Sequence, residues 1–492
     1  MKKMGQISYH VPKIVLILGA IFLILGLVAA LVKNLKLENK SSNPPVIYEY
    51  EQYYLVASHF TDEIDSIATS ELKNILALSS DQDVFVSFEE RDNIKKMLGI
   101  DNYQPRVKFA QNQKIIEKLI ESNNTLAILP FTAVDSRVKT LRIDDKMLWE
   151  KSVIDYPLHL KLQTGDRYRA ENEFNKDKIT LLTNVGDVIL GRYVAHKMKA
   201  YNDYTHPWLK MAGLLSKADI TFTDLEVPLS DQYLPSDEGM SFIAPSKSID
   251  GLKLAGVDVV ALANNHSTNY GTSVFMDTLD LLKKSEIGYV GGGLNYSEAY
   301  KPLIIEKNGL KWAFVDYNSI TGAINASESS PGVAKFEIKP WVEVDSKEDL
   351  AVIKRIISDI KNKVDIVVAE FHWGVEYKSS PIQSQVDIAH EAIESGADLI
   401  IGTHPHVVQG MENYKNTPII YSLGNFIFDQ EWSEETKQGV VAETYFYKKK
   451  LVNVGLVPYQ IEDYNQPRPT SPNESKKILN RIFDESLSPE YK

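Results

Sequence analysis

The sequence contains no cysteine in 492 residues. That removes disulfides, thiolate nucleophiles, cysteine zinc sites and lipid attachment through an N-terminal cysteine. It also lacks an excess of positive charge: Lys+Arg number 54 against Asp+Glu 66, a net charge of -12. Nucleic-acid backbones are gripped by clustered basic side chains, so no nucleic-acid partner is expected. Long apolar runs are missing too, with one exception. Residues 14–32 are continuously apolar or glycine, and 19 residues at about 1.5 Å each nearly cross a hydrocarbon layer of about 30 Å. Lys2, Lys3 and Lys13 precede this run and Lys33, Lys36 and Lys40 follow it, so flanking charge gives no orientation. A cleaved signal peptide is the competing reading, but the run is long for one and no small-x-small cleavage site precedes the following charges. The expectation is an uncleaved single-pass cell-membrane anchor, with residues 1–13 cytoplasmic and everything beyond residue 32 outside.

The rest of the chain has the make-up of folded protein, 43% hydrophobic and 24% charged, so buried cores are expected rather than disorder. Residues 33–45 are polar and end in Asn43-Pro44-Pro45, which reads as a spacer. Residues 46–163 mix an extended aromatic-rich piece (48–56), helix-period segments (66–78 and 113–122) and short apolar strands (84–88 and 125–129). They read as a smaller accessory α/β domain, with a faint likeness to a phosphate-type solute-binding domain in 126–158. Residues 164–178 are charged and read as a linker.

From residue 179 the pattern changes. Apolar strands are expected at 179–185, 220–222, 257–262, 312–315, 364–369, 399–401 and 419–421, with helices at 274–284, 349–361 and 383–394 between them. A strand pair is expected at 439–447 and 451–459. Such alternation implies a layered α/β domain, spanning 179–460, with functional groups gathered beyond strand ends. Residues 461–492 read as a polar, weakly helical tail without chemistry.

Polar residues cluster just after these strands. The segments are Asn184-Val-Gly-Asp-Val-Ile-Leu-Gly-Arg192, Asp224-Leu-Glu226, Ala263-Asn-Asn-His266, His372-Trp-Gly-Val-Glu376, and Gly402-Thr-His-Pro-His406. Tyr421-Ser-Leu-Gly-Asn-Phe-Ile-Phe-Asp429 follows the last of them. Four of the chain's ten histidines fall in these segments. Imidazole nitrogen beside carboxylate oxygen suits Mn, Zn or Fe, and two such ions could clamp a phosphoryl group and activate water. Taken singly, each segment has a plain structural reading: Gly186-Asp187 is a common turn, Asn264-Asn265 can cap a helix, and His372-Trp373 can be a half-buried aromatic pair. The order and type of all of them together are the specific signal.

That ordered set resembles the CapA family of poly-gamma-glutamate capsule synthesis, a branch of the calcineurin-like metallophosphoesterase superfamily. The resemblance implies a four-layer α-β-β-α sandwich beside the N-terminal transmembrane helix and the accessory domain. It makes Asp187 and Asp224 metal carboxylates, Asn265, His372 and His404 ligands of one ion, and His406 a ligand of the other. It matches His266 to a histidine that assists at the phosphoryl oxygen, and makes Arg192, Glu226 and Glu376 substrate-contacting or supporting groups. The cofactor implied is one or two divalent transition-metal ions (Mn, Zn or Fe). Three positions depart from the pattern. Ile189 stands where the superfamily's first motif has a histidine, Asp224 where the family usually has asparagine, and Asn269 where it usually has aspartate.

Two functions compete on this basis. One is a metal-dependent hydrolase or transferase acting on an anionic polymer or phosphorylated substrate. The other is a non-catalytic module that binds or assembles poly-gamma-glutamate or a related polymer, alongside other capsule-synthesis membrane proteins. Metal ligation needs neutral imidazole, so binding is expected to weaken as pH falls through about 6.5.

Overall fold

The computed structural model describes residues 24–31, 33, 46–79, 81–235 and 239–486. No helix among the described residues is long and apolar enough to cross a membrane. The anchor expected at 14–32 lies largely outside them, as do 1–13 and most of the spacer. The chain divides into two compact units, 1–51 with 161–173, and 52–160 with 174–492. In the first, residues 24–31 are helical, and Ile24, Leu25, Leu27, Val28 and Leu31 are each more than half exposed. The stretch read as a plain linker contains a helix, Arg167–Glu171, closed by an ion pair of 2.6 Å between its end residues.

The second unit holds three large sheets. The first lies in the N-terminal part of the chain, in the order Val107–Ala110, Asp83–Ser87, Thr125–Pro130, the part of Tyr48–His59 from residue 52 on, Val138–Thr140. The segment expected as one helix from 66 to 78 is split. Ser66 and Ile67 pair in parallel with Arg142 and Ile143, and the helix runs Thr69–Ala77. Its start is set from a distance: Asp144 accepts from the Thr69 amide at 2.8 Å and from its hydroxyl at 2.6 Å. A carboxylate remote in sequence leaves no local signal for this boundary. The core of this layer is continuous with Ile179, Tyr445 and Val452, and Asn453 Oδ1 accepts from the Thr140 amide and hydroxyl at 3.0 and 2.9 Å.

The other two sheets face each other. One has parallel strands Ile179–Val188, Ile220–Leu225, Val259–Ala261 and Gly288–Val290, extended by the antiparallel strands Gln438–Tyr447, Lys450–Glu462 and Gln466–Pro469. The other has parallel strands Leu310–Asn318, Ile366–His372, Leu399–Thr403 and Thr417–Ile420. Successive strand side chains point to opposite faces, and the burial follows that period. Phe222, Val259, Phe314, Val368 and Ile401 fill the space between the sheets. Val260 and Leu262 pack outward on one side with Phe275 and Leu279 of the helix Thr272–Lys284. Val315, Val367 and Ile400 pack on the other with Ile353, Ile357 and Ile388 of Lys347–Lys361 and Gln383–Glu394. The layers therefore run helix, sheet, sheet, helix.

The expected tail belongs to this body. Gln466–Pro469 is an edge strand, and helix Pro472–Asp484 sends Ile478 and Ile482 into the core between the sheets. Its start carries a capping box, Ser471 with Glu474, and a proline in the first turn.

Candidate metal centre

The strands run further than the apolar runs that announced them, and this brings the polar residues into the sheets. Asp187 lies within Ile179–Val188, Asp224 within Ile220–Leu225, and His372 ends Ile366–His372. Asp187 and Asp224 are register partners on adjacent strands. Asn265 and His266 follow Val259–Ala261, and His404 and His406 follow Leu399–Thr403. All stand at carboxyl ends of parallel strands, where α/β sheets place their ligands. The strand at Asp187 needs glycine at 186: a Cβ there would lie 1.8 Å from the Gly424 carbonyl oxygen.

Hydrogen bonds fix each group. Asp187 Oδ1 accepts the His404 amide at 3.2 Å, and its Oδ2 lies 3.0 Å from His406 Nδ1. Asn425 spends its Nδ2 on backbone carbonyls, Thr436 O at 2.9 Å and His406 O at 3.3 Å. Its Oδ1 therefore faces His406 Nδ1, at 2.8 Å, and that nitrogen carries the proton. The lone pair of His406 is left on Nε2. His372 is hydrogen-bonded at both ring nitrogens: Nδ1 is 3.0 Å from Thr403 Oγ1 and Nε2 is 2.7 Å from Asn265 Oδ1. His404 and His406 take left-handed backbone, φ 92° and 58°, on either side of Pro405. Non-glycine residues seldom adopt this conformation, and such outliers gather at functional sites.

The burial is severe. Asp187, Asp224, Glu226, His372, His404 and His406 are all buried, while Asn265 and Glu376 are partly exposed. Asp224 Oδ2, both Glu226 oxygens and both His404 ring nitrogens have no hydrogen-bond partner. Buried polar atoms are normally satisfied. Orphaned nitrogen lone pairs beside orphaned carboxylate oxygens are the donor set of a divalent ion, so the residues present fit one. The ligand atoms fall into two groups, Asp187 with Asp224 and His372, and Glu226 with His404 and His406, each with its atoms within 4.8 Å of one another. The His404 ring lies 4.9 Å from that of His372 and 5.8 Å from that of His406.

Burial, then the charge of Asp187, holds Asp224 and Glu226 well above the usual carboxylate range. Burial pushes His372 down to about 3 and His266 down to about 4, and His404 well below the ordinary value. His406 is the exception. Burial opposes its protonation, but the Asp187 bond and charge outweigh this and raise it.

His266 sits beside the cluster, its Nε2 3.9 Å from Glu226 Oε1 and its ring 4.3 Å from that of Phe242. Arg192 is occupied: Asp429 accepts from its Nε at 2.9 Å and also pairs with Nη2, while Phe242 and Phe428 flank the guanidinium at 5.2 Å. Two polar residues, Asp316 and Glu370, went unnoticed in the sequence, and Asn264 reads there only as a helix cap. Asn264 bonds Asp224 Oδ1 at 2.7 Å. Asp316 Oδ2 accepts the Leu262 and Ala263 amides at 3.0 and 2.7 Å, holding the start of the Asn264–His266 loop. Glu370 is its register partner on the next strand, buried among the same acids. A lone carboxylate inside an apolar strand run was the available signal for Asp316 and Glu370.

Comparison with known proteins places this geometry among relatives. Residues 181–430 match the family model described as bacterial capsule synthesis protein PGA_cap. The capsule biosynthesis protein CapA of Bacillus anthracis is 32% identical over 62% of this chain and 72% of its own. The PGA biosynthesis protein CapA of Bacillus subtilis is 30% identical over 63% of this chain and 79% of its own. A solved phosphate transport receptor from Vibrio cholerae is 9% identical, covering 25% of this chain and 62% of its own, with a TM-score of 0.21, too loose a likeness to bear on the fold.

Proposed function

The chain belongs to the bacterial capsule synthesis family PGA_cap, and from that premise we propose that it acts in the synthesis, export or anchoring of poly-gamma-glutamate or a related capsular polymer as a metal-dependent hydrolase or transferase. The observation that carries this reading is the set of orphaned, fully buried ligand atoms on Asp224, Glu226 and His404. The helix–sheet–sheet–helix layering, with ligands at the carboxyl ends of both sheets, supports a calcineurin-type metallophosphoesterase arrangement. In this reading Asp187, Asp224, Asn265, His372, His404 and His406 hold divalent transition-metal ions. An ion bound there would polarise a phosphoryl or carbonyl oxygen of the substrate and make water more acidic.

The chain's own residues supply the rest. His266 is neutral and lies beside the cluster, where in this reading it assists at the phosphoryl oxygen of the substrate. Phe242 and Phe428, 4.3 and 5.3 Å from the His266 and His406 rings, keep bulk water from that side. Arg192 pins Asp429 and the Gly239 backbone, and Glu376 stands at the rim as a substrate-contacting group. The exposed apolar residues of 24–31 support an anchor at 14–32 that displays the 46–163 accessory domain and the 179–460 domain outside the cell membrane. There they would meet polymer and other capsule-synthesis membrane proteins.

The test is complementation of a strain lacking this gene, with cell-bound polymer measured. His404→Ala should abolish polymer and lower metal content. His266→Ala should abolish polymer with metal retained. Full polymer from a metal-bound, folded His266→Ala would favour the non-catalytic assembly reading, which the buried Ile189 in the first motif supports.

A further inference from the structure

We propose that the lysine-rich edge at the amino ends of the two facing sheets docks the larger unit on an anionic phospholipid surface, with the metal centre turned away from the membrane. This rests on the membrane-anchor reading above and deepens it.

The edge is assembled from segments far apart in sequence. The strands Ile179–Val188, Leu310–Asn318 and Ile366–His372 start there, and Tyr447, the register partner of Ile179, brings the hairpin tip at 448–449 beside them. The Lys448 amide donates to the Lys178 carbonyl at 2.8 Å, Asn308 Nδ2 to Thr180 Oγ1 at 3.0 Å, and the Asp365 amide to the Lys311 carbonyl at 2.9 Å. Four aspartates of the edge are already engaged. Asp219, Asp258, Asp365 and Asp398 each accept a backbone amide from a neighbouring segment, at 2.7–2.9 Å. Each also faces one lysine, at distances from 2.5 Å for Asp398 to 3.9 Å for Asp258. Those charges cancel in pairs. Six further lysines, Lys176, Lys178, Lys311, Lys363, Lys448 and Lys450, stand in the same segments against the acids Asp177 and Glu306. The first five are exposed, while Lys450 is held by the Val134 carbonyl at 2.7 Å.

A chain of net charge -12 thus carries a local excess of positive charge. An anionic surface attracts this edge and repels the rest of the molecule, which selects one orientation. Lysine ammonium groups are point charges, suited to a diffuse layer of phosphate headgroups. Tyr447 is half-buried beside them, with Lys448 Nζ 5.7 Å from its ring centre, and tyrosine favours the membrane–water boundary. Position also favours lipid over polymer. Asp187 follows Ile179 by eight residues of one strand, about 26 Å at the usual rise. Lipid contact at one end of the strands leaves the metal centre at the other end open to polymer.

The full chain is reconstituted in vesicles of phosphatidylcholine, with or without phosphatidylglycerol, and its flotation is measured. Exposed lysines are then acetylated with a membrane-impermeant reagent and read site by site by mass spectrometry. Lys176, Lys178, Lys363 and Lys448 should react several-fold more slowly when phosphatidylglycerol is present, and high salt should erase the difference. Lys378, exposed beside Tyr377 at the metal end, should react equally on both. Changing Lys176, Lys178, Lys363 and Lys448 together to glutamine should leave thermal unfolding unchanged and equalise the labelling of Lys311 on the two vesicles. Equal labelling of the wild-type edge on both vesicles would overturn the proposal. So would protection by soluble poly-gamma-glutamate and not by phosphatidylglycerol, which would assign the edge to polymer. Failure to float with phosphatidylcholine alone would sink the anchor reading; salt-reversible flotation with phosphatidylglycerol would then still support the edge.

Discussion

Asn269 holds His266 by its ring: the Asn269 side-chain oxygen lies 3.0 Å from His266 Nδ1. The same oxygen accepts the Phe242 amide at 2.7 Å, which fixes it as an acceptor and makes Nδ1 the protonated nitrogen. This amide orients the imidazole, and its hydrogen bond raises the His266 value without overcoming burial, which leaves it at about 4.

Replacing that amide by a carboxylate should restore the cation. Asn269→Asp places a negative charge against Nδ1 and should raise His266 from about 4 by roughly 1–3 units. Titration of the His266 ring protons by NMR in chelator checks this. An unmoved titration would mean that burial alone sets the value.

Metal binding should be governed by the acids and by His406. The expected loss of binding near pH 6.5 does not suit His372, which burial keeps neutral down to about 3, or His404, which burial lowers as well, but His406 is raised and must also give up a proton. A lowered histidine contributes stability above its unfolded value, lost as pH falls through its folded value. Asp224 and Glu226 are raised, so their contribution is complete below about 4, the unfolded value, and is lost as pH rises through the folded one. An ion must displace those protons. The gap in melting temperature between Mn2+-loaded and chelated protein should therefore widen from pH 5 to pH 8. A gap that is flat across this range would contradict the assignment of these acids.

Asp316 should matter through the backbone it holds. Asp316→Ala strands the buried Ala263 amide, while the Leu262 amide keeps the Val290 carbonyl at 2.9 Å. It should lower unfolding stability by about 2 kcal/mol, the loss being limited because a buried acid is removed as well. Asp316→Asn keeps one oxygen acceptor and should lose less. Urea unfolding, with amide exchange at 262 and 263, distinguishes the two; equal losses would show that the bonds are not the cause.

The C-terminal helix should be a structural part of the fold. Ser471→Ala removes the side chain that caps Pro472–Asp484, and should lower stability by about 1 kcal/mol. Deleting residues 471–486 should do far more, exposing the core around Ile478 and Ile482. Unchanged melting after that deletion would show the helix to be dispensable.

The sequence by itself determined the family, the layered α/β class and which polar residues stand at the strand ends. Alternating apolar strands and helices, and the polar residues at their ends, are local signals that survive in one dimension. It misread the reach of the strands, because Asp187, Asp224 and His372 break an apolar run without breaking the hydrogen-bonded ladder. It also misread the tail, because Ile478 and Ile482 become core only once two sheets stand open to receive them. Only the tertiary structure decided what each of these groups touches. Arg192 is claimed by Asp429, and Asp187 meets the His404 amide and the His406 ring. Those outcomes rest on contacts between segments tens to hundreds of residues apart, where register and burial, not neighbouring residues, set the distance between charges.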